Sequence, residues 1–161
     1  MTYQEVYSKI FTLCVDAFSR HPVSESKAAD KLRFYLTAPR FDDVSQDVKD
    51  KVHAEILSRL KEMQLIGDTP YVSSYIASNK ASGTPDGSML VIKKLLSKGI
   101  SQEVITEFND AIYGAEVENA SKLLSKKYGD ASLTVNKEKK LKYLYQRGYR
   151  VADVIYGLEN A

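Results

Sequence analysis

The sequence predicts an all-α protein, an elongated, curved array of three tandem three-helix modules. One observation is a four-residue motif that occurs as Ser45-Gln46-Asp47-Val48 and Ser101-Gln102-Glu103-Val104, and in altered form as Val151-Ala152-Asp153-Val154. The copies lie roughly fifty residues apart, a period typical of stacked helical units. The other observation is that apolar residues recur at spacings of three and four, which favours helices over strands.

The expected modules cover residues 1–66, 67–114 and 115–161. No polar linker is long enough to separate them into independent domains. A three-helix module of this size buries little apolar surface alone, so we expect neighbouring modules to share a core.

Three helices are predicted in the first module. The first ends near His21-Pro22, Ser24 suits the N-cap of the second, and Pro39 ends that helix because proline disfavours helical geometry in the preceding residue. Ser45 opens the third helix, and Gly67 is expected to end it. The inward positions are Tyr3, Val6, Tyr7, Ile10, Leu13, Cys14, Ala17, Phe18, Ala28, Leu32, Tyr35, Leu36, Val48, Val52, Ile56, Leu57, Leu60 and Met63.

The middle module restarts at Thr69-Pro70, since threonine suits an N-cap and proline the first helical position. Residues 82–87 form a loop by composition, after which Ser88 is expected to cap a helix that Gly99 closes. Ser101 caps a helix that runs to Gly114. The inward positions are Tyr71, Val72, Tyr75, Ile76, Val91, Ile92, Leu95, Leu96, Val104, Ile105, Phe108 and Ile112.

The last module contains predicted helices at 115–128, 135–147 and 151–158. They bring the expected total to nine. Their inward positions include Val117, Ala120, Leu123, Leu124, Leu141, Leu144 and Tyr145.

Composition indicates a folded chain rather than a disordered one. Of the 161 residues, 43% are hydrophobic and 27% are charged, values ordinary for a globular protein. No apolar run approaches the roughly 18 residues that span a bilayer, and the first segment lacks a signal-peptide pattern. We expect a cytoplasmic protein with no membrane partner. Cys14 stands alone, so no intramolecular disulfide is possible, and we expect it to be buried.

Sequence patterns of catalysis and cofactor binding are absent. His21 and His53 lack the spacing of metal ligands, and no phosphate-binding glycine motif occurs. Helix capping explains Asp47 and Glu103 without acid–base chemistry. We therefore expect a binding protein with no metal and no cofactor, rather than an enzyme.

Positive charge is concentrated between residues 122 and 150. This stretch carries nine Lys or Arg against Asp130 and Glu138, a formal charge of +7. Such a run can attract nucleic acid or an acidic protein groove, but it can equally be a solvated helix face. Residues 139–150 also interleave aromatic rings, so Tyr143 and Tyr149 could stack on bases; the alternative is an amphipathic helix with its leucines and Tyr145 in the core.

Three stretches together carry a family pattern. Residues 62–68 lead through Asp68 to two aromatic residues four apart, residues 92–105 contain a Lys-Gly-Ile turn before an acidic-aliphatic helix start, and residues 139–155 contain Leu-Tyr-Gln-Arg-Gly-Tyr. In this order the chain resembles, over nearly its whole length, the RecX family, the regulatory proteins of the RecA recombinase. The residues that fit the pattern are Asp68, Tyr71, Tyr75, Gly99, Gly148 and Tyr149.

The chain departs from the family pattern at three places. Met89-Leu90 stands where members commonly carry two basic residues after Gly-Pro, and Asn79 lies at or beside a usually basic position, with Lys80 as a substitute. The segment at residues 39–44 makes the connection in the first module longer than usual.

The resemblance implies a non-catalytic protein that lies in the groove of a RecA filament on single-stranded DNA and modulates ATP hydrolysis and strand exchange, usually by inhibition. Duplex DNA would be a weaker partner. The charge count and the phase of the repeat suggest a basic contact face for the filament and its DNA. Its expected members are Lys93, Lys94, Lys98, Lys122, Lys126, Lys127, Lys139, Lys140, Lys142, Arg147 and Arg150.

Two other functions remain open from sequence. One is a helical-repeat protein that binds nucleic acid and meets no recombinase; it would bind bare DNA with a steep salt dependence. The other is an enzyme with an unrecognised site, which would need a concave pocket holding perturbed titratable groups.

Overall fold

A computed structural model describes residues 1–160 and confirms the all-α fold. Ten α-helices and one short 3-10 turn, Pro39–Phe41, lie in this part of the chain. The helices are α1 (Tyr3–Phe18), α2 (Glu25–Leu36), α3 (Gln46–Glu62), α4 (Asp68–Ala81), α5 (Ser88–Ser97), α6 (Gln102–Glu107), α7 (Asn109–Gly114), α8 (Glu116–Tyr128), α9 (Lys137–Gln146) and α10 (Val151–Glu159). None of these ten has both the length and the apolarity needed to cross a membrane.

The described chain forms two compact units, Met1–Tyr71 and the residues from Val72 onward. The division into three modules, with boundaries after residues 66 and 114, stays a prediction.

The first unit is held together by the mutual packing of α1, α2 and α3. Its core includes Ile10, Phe18, Leu32 and Ile56, all buried. Cys14 lies in the same core, as expected, and burial raises the pKa of its thiol to about 11. The thiol is therefore protonated and unreactive at neutral pH.

In the second unit, α8 packs against α10, and α9 also contacts α10. Gly157 permits close packing between α8 and α10, because a Cβ at this position would lie 2.3 Å from Val117 Cγ2. The buried side chains that these three helices and their loops share are Ala120, Leu123, Leu124, Leu133, Leu144, Tyr149 and Val154.

Serine N-caps were predicted correctly at three helices. The hydroxyls of Ser24, Ser45 and Ser101 each accept a hydrogen bond from the backbone N–H three residues later. The prediction for Ser88 was wrong, because Gly87 is the N-cap of α5 and Ser88 is its first residue. Ser88 is buried, and within the described residues its hydroxyl has no hydrogen-bond partner.

Three helices end in the same geometry. A residue with positive φ follows the C-cap of α3, α5 and α9, namely Gln64 (58°), Gly99 (85°) and Gly148 (86°). The N–H of the next residue then bonds to the carbonyl five residues back, as in a Schellman motif. The expectation that Gly67 ends α3 was wrong, because Gln64 reverses the chain three residues earlier.

Two further predictions from the sequence, one helix and several inward positions, were wrong. The helix predicted from Ser101 to Gly114 is two helices, because Phe108 leaves the α region (φ −102°, ψ 12°) and its N–H bonds to Ile105 O, three residues back. Four residues that the sequence pattern placed inward are exposed, namely Leu13, Met63, Leu96 and Tyr145. Leu13, Leu96 and Tyr145 each adjoin a buried residue at the edge of the apolar stripe, so helical periodicity alone assigned them to the wrong side. Met63 is the C-cap of α3 and lies beyond its last helical turn.

Substitution of Ser101 and of Ser88 gives a direct test of the N-cap assignments. We expect Ser101→Ala to lower the free energy of unfolding by about 0.5–2 kcal/mol because it removes an N-cap. Ser88→Ala should leave stability unchanged or raise it, because it removes a buried hydroxyl without a partner. Urea denaturation followed by circular dichroism measures both, and equal losses in the two variants would contradict the assignment.

Candidate basic interface

Two of the predicted contact residues, Lys94 and Arg147, lie at a place in the second unit where two loops meet. We call it the loop junction and define it as residues 84–90 and 147–149. Gly87 N–H donates to Arg147 O over 2.8 Å, and Met89 N–H donates to Gly148 O over 2.9 Å. These bonds satisfy two donors at the start of α5, where a helix leaves its first N–H groups unpaired.

Two glycines allow the backbones to come this close. A Cβ on Gly87 would lie 2.4 Å from the carbonyl carbon of Gly148, and a Cβ on Gly148 would lie 2.4 Å from Leu90 Cβ. Gly148 also has φ +86°, a conformation that L-residues rarely adopt. Any other residue at either position would have to push the loops apart.

Asp86 is the electrostatic centre of the loop junction. Its side chain is only 12% exposed, and it accepts from Arg147 Nη2 at 2.9 Å and from Lys94 Nζ at 2.6 Å. The hydrogen bond to Asp86 raises the pKa of Lys94, although burial opposes the shift. Asn79 adds two bonds to the Asp86 backbone, one to its carbonyl at 2.9 Å and one from its N–H at 2.8 Å.

The loop junction therefore uses Arg147 and Lys94 to hold the fold. Arg147 Nη2 also donates to Thr84 O over 2.6 Å, and Tyr149 Oη donates to Pro85 O over 2.7 Å. Burial raises the pKa of the Tyr149 phenol, so it stays protonated and a donor. The expectation that Tyr149 could stack on a base was wrong, because its ring is buried in the core.

Arg150 is engaged in a second internal ion pair. Its Nε donates to Glu116 Oε1 over 3.0 Å and its backbone N–H donates to Glu116 Oε2 over 3.1 Å, while its guanidinium lies 3.9 Å from the centre of the Tyr113 ring. Glu116 is buried at the start of α8. Burial raises the pKa of its carboxyl, and the hydrogen bonds from Arg150 oppose this shift.

Lys140 requires a correction, because it was expected on the contact face and is 1% exposed. Its Nζ donates to Asp130 Oδ1 over 3.2 Å and to Ser132 O. The hydrogen bond from Lys140 lowers the pKa of Asp130. The side chain thus ties α9 to the loop that precedes it, and it cannot reach a partner in this structure.

Eight of the eleven predicted contact residues are exposed, all of them lysines. Besides Lys94, two make a hydrogen bond or a cation–π contact: Lys122 Nζ donates to Lys80 O over 3.0 Å, and Lys127 Nζ lies 3.9 Å from the centre of the Tyr143 ring. The remaining five form no ion pair with any carboxylate of residues 1–160, and they are Lys93, Lys98, Lys126, Lys139 and Lys142.

Of the residues that fit the RecX pattern, Gly99, Gly148 and Asp68 have structural roles in the backbone. Gly99 and Gly148 take the left-handed conformation that ends α5 and α9. Asp68 accepts from the Glu25 N–H at 3.4 Å within the first unit. Tyr71 and Tyr75 are half-buried.

Sequence reasoning missed the acidic partners. Asp86 lies in a stretch interpreted only as a loop, Asp130 was counted only as a charge, and Glu116 was not singled out. A signal for Glu116 existed, because an acidic residue in the first turn of a helix is favoured by the dipole. Its partner, 34 residues away, gave no such signal. No three His, Cys, Asp or Glu side chains in residues 1–160 form a group that could hold a metal ion.

Known proteins provide an independent comparison. No family model matches the chain. It is 34% identical over 113 residues to Regulatory protein RecX of Lactococcus lactis subsp. cremoris (strain MG1363), a match that covers 66% of this chain and 42% of that protein. It is 27% identical over 131 residues to Regulatory protein RecX of Streptococcus gordonii, covering 80% of this chain and 48% of that protein.

The chain therefore resembles curated RecX proteins in sequence. The resemblance that the sequence motifs predicted is thereby confirmed. The matches span less than half the length of both curated RecX relatives.

Solved RecX structures share the fold. The crystal structure of RecX from Lactobacillus salivarius matches with a TM-score of 0.65 and 20% identity, covering 98% of this chain and 99% of that chain. A second RecX crystal structure matches with a TM-score of 0.60 and 23% identity, covering 96% of this chain and 73% of that chain.

The loop junction predicts a difference between two glycine substitutions. Gly148→Ala should lower the free energy of unfolding by at least about 1–2 kcal/mol, the cost of the left-handed conformation for an L-residue, with the contact to Leu90 added. Gly114→Ala is the control, since a Cβ there meets nothing within 4 Å, and it should be neutral or stabilising. Equal urea midpoints for the two variants would contradict the close approach of the loops.

Lys140 and Lys142 predict opposite results from the same charge reversal. Lys140→Glu should lower the free energy of unfolding by about 2 kcal/mol or more, because it buries a carboxylate beside Asp130. Lys142→Glu should change it by less than about 0.5 kcal/mol, because Lys142 is exposed. Thermal unfolding followed by circular dichroism distinguishes the two, and a stable Lys140→Glu variant would show that Lys140 is not held inside.

Proposed function

We propose that this chain is a non-catalytic regulator of the RecA recombinase. It binds in the groove of the RecA filament on single-stranded DNA and modulates ATP hydrolysis and strand exchange, in the direction of inhibition. The observation that carries the proposal is the sequence similarity to curated proteins named Regulatory protein RecX.

The charge distribution supports a surface role for the exposed lysines. Asp86 pairs with Arg147 and Lys94, Glu116 pairs with Arg150, and Asp130 pairs with Lys140. These carboxylates therefore engage four of the predicted cations. The lysines that remain project from α5, α8 and α9 with no carboxylate partner among the described residues. Such charges produce a positive field that attracts an anionic filament and its DNA.

The internal ion pairs also support binding without large rearrangement. The pairs at Asp86 join α5 to the connection between α9 and α10, and the Arg150–Glu116 pair joins that connection to α8. The hydrogen bonds of Asn79 add α4. A surface built on fixed helices loses less entropy when a partner binds than a surface on mobile loops.

A titration of RecA ATPase tests the proposal. The ATPase rate of a cognate RecA filament on single-stranded DNA is measured against increasing amounts of this protein at fixed ionic strength. We expect the rate to fall at substoichiometric amounts. An unchanged rate, together with salt-sensitive binding to bare DNA, would instead favour a nucleic-acid-binding protein without a recombinase partner.

A matched pair of double variants then tests the basic surface. Lys139→Glu/Lys142→Glu should raise the protein concentration needed for half the effect by about tenfold or more, because attraction to phosphates becomes repulsion. Lys9→Glu/Lys27→Glu makes the same change in net charge on exposed lysines of the first unit and should have a smaller effect. Equal effects would assign the attraction to net charge rather than to this surface.

A further inference from the structure

Tyr145 is an exposed aromatic residue on the basic helix α9. Its side chain is 70% exposed although the sequence pattern placed it in the core. The reason is helical phase: Lys140 and Leu144 are four residues apart and point inward, so Tyr145 begins the next face. Across residues 1–160, no hydrogen bond or ring contact involves its side chain.

Two exposed lysines form an oblique row with Tyr145 along the surface of α9. Lys142 is three residues before it and Lys139 is three residues before Lys142, a spacing that makes neighbours on a helix surface. Each step of three residues advances about 4.5 Å along the axis. Neither lysine forms an ion pair with a carboxylate of the described chain. We call Lys139, Lys142 and Tyr145 the α9 ridge.

Glu138 is the one acidic residue within α9, and it lies at the opposite end from Tyr145. Seven residues, or about 10 Å, separate the two along the axis. A ligand that lies along the ridge toward Tyr145 therefore moves away from this negative charge.

The composition of the α9 ridge favours a nucleic-acid strand over a protein. Lysine is depleted in the centres of protein interfaces, where aromatic anchors are surrounded by apolar contacts. The ridge instead combines an isolated, accessible ring with ammonium groups. This combination suits a strand whose phosphates contact the lysines while a base stacks on the ring.

We propose that the α9 ridge is a stacking site for single-stranded nucleic acid, with Lys139 and Lys142 on phosphates and Tyr145 against a base. In a duplex the faces of the bases are covered by their neighbours, so the ring contributes only to binding of unpaired strands. The proposal rests on the proposed function, since it names the ligand that this face contacts in a filament, but it can be measured without recombinase.

Tyr156 provides a matched control on α10. It is also highly exposed, at 72%. Its neighbours three residues before and after are Asp153 and Glu159, both exposed and acidic. The two tyrosines thus differ in the charge around them and have nearly the same exposure, so only Tyr145 should bind a polyanion.

The experiment uses the full chain and a fluorescently labelled oligothymidine, with a labelled duplex of equal length. Tyr145→Ala should weaken single-strand binding by about five- to a hundred-fold, the range for loss of one stacked base. Tyr145→Phe should stay within about twofold of the unsubstituted protein because the ring remains. Tyr156→Ala should leave binding unchanged, and Tyr145→Ala should leave duplex binding unchanged.

Three results would overturn the stacking site. They are unsubstituted protein that binds no oligothymidine, equal losses in Tyr145→Ala and Tyr156→Ala, and equal losses on single strand and duplex. The RecA ATPase titration, run beside it, separates the two proposals. If the protein inhibits the RecA ATPase but does not bind oligothymidine, the stacking site is contradicted and the regulator proposal is supported. If it binds oligothymidine through Tyr145 but does not affect RecA, the stacking site is supported and the regulator proposal is contradicted.

Discussion

The close approach of two backbones at Gly87 and Gly148 is the constraint on which the second unit depends. At 2.4 Å from the position of a Gly87 Cβ, the Gly148 carbonyl carbon leaves no space for a side chain. This approach lets Arg147 O and Gly148 O accept the first N–H groups at α5, and it places the Arg147 guanidinium against Asp86. If side chains in place of these glycines pushed the loops apart, the hydrogen bonds and the ion pair would be lost together.

Positive charge has two separate roles in this chain. Arg147, Arg150 and Lys140 are paired inside the fold, where low solvent access strengthens each contact and makes an unpaired partner costly. The exposed lysines on α5, α8 and α9 other than Lys94 contribute little to stability, because surface charges are screened by water and salt. We therefore expect charge reversal at these positions to leave the fold intact, whereas the same change at Lys140 should destabilise it.

Local chemistry made part of this structure predictable from sequence. Ser24, Ser45 and Ser101 act as N-caps through hydrogen bonds to residues only three positions later in the sequence. Cys14 is buried because it lies on a continuous apolar stripe. Predictions that depended on distant residues failed. Ser88 lost the cap position to Gly87 because the loop at 147–149 shapes the start of α5. Lys140 is buried because Asp130 and Ser132 lie in a loop that folds back over α9.

The separation of the two loops along the sequence affects how the second unit folds during synthesis. Sixty-one residues separate Asp86 from Arg147, so closing this contact costs chain entropy that contacts between sequence neighbours do not. A chain emerges from the ribosome with its N-terminal part first. The donors at Gly87 and Met89 must then remain with water while α6, α7 and α8 are synthesised. The second unit completes its fold only after Tyr149 has left the ribosome, so a nascent chain paused earlier carries an α5 whose start has no protein partner.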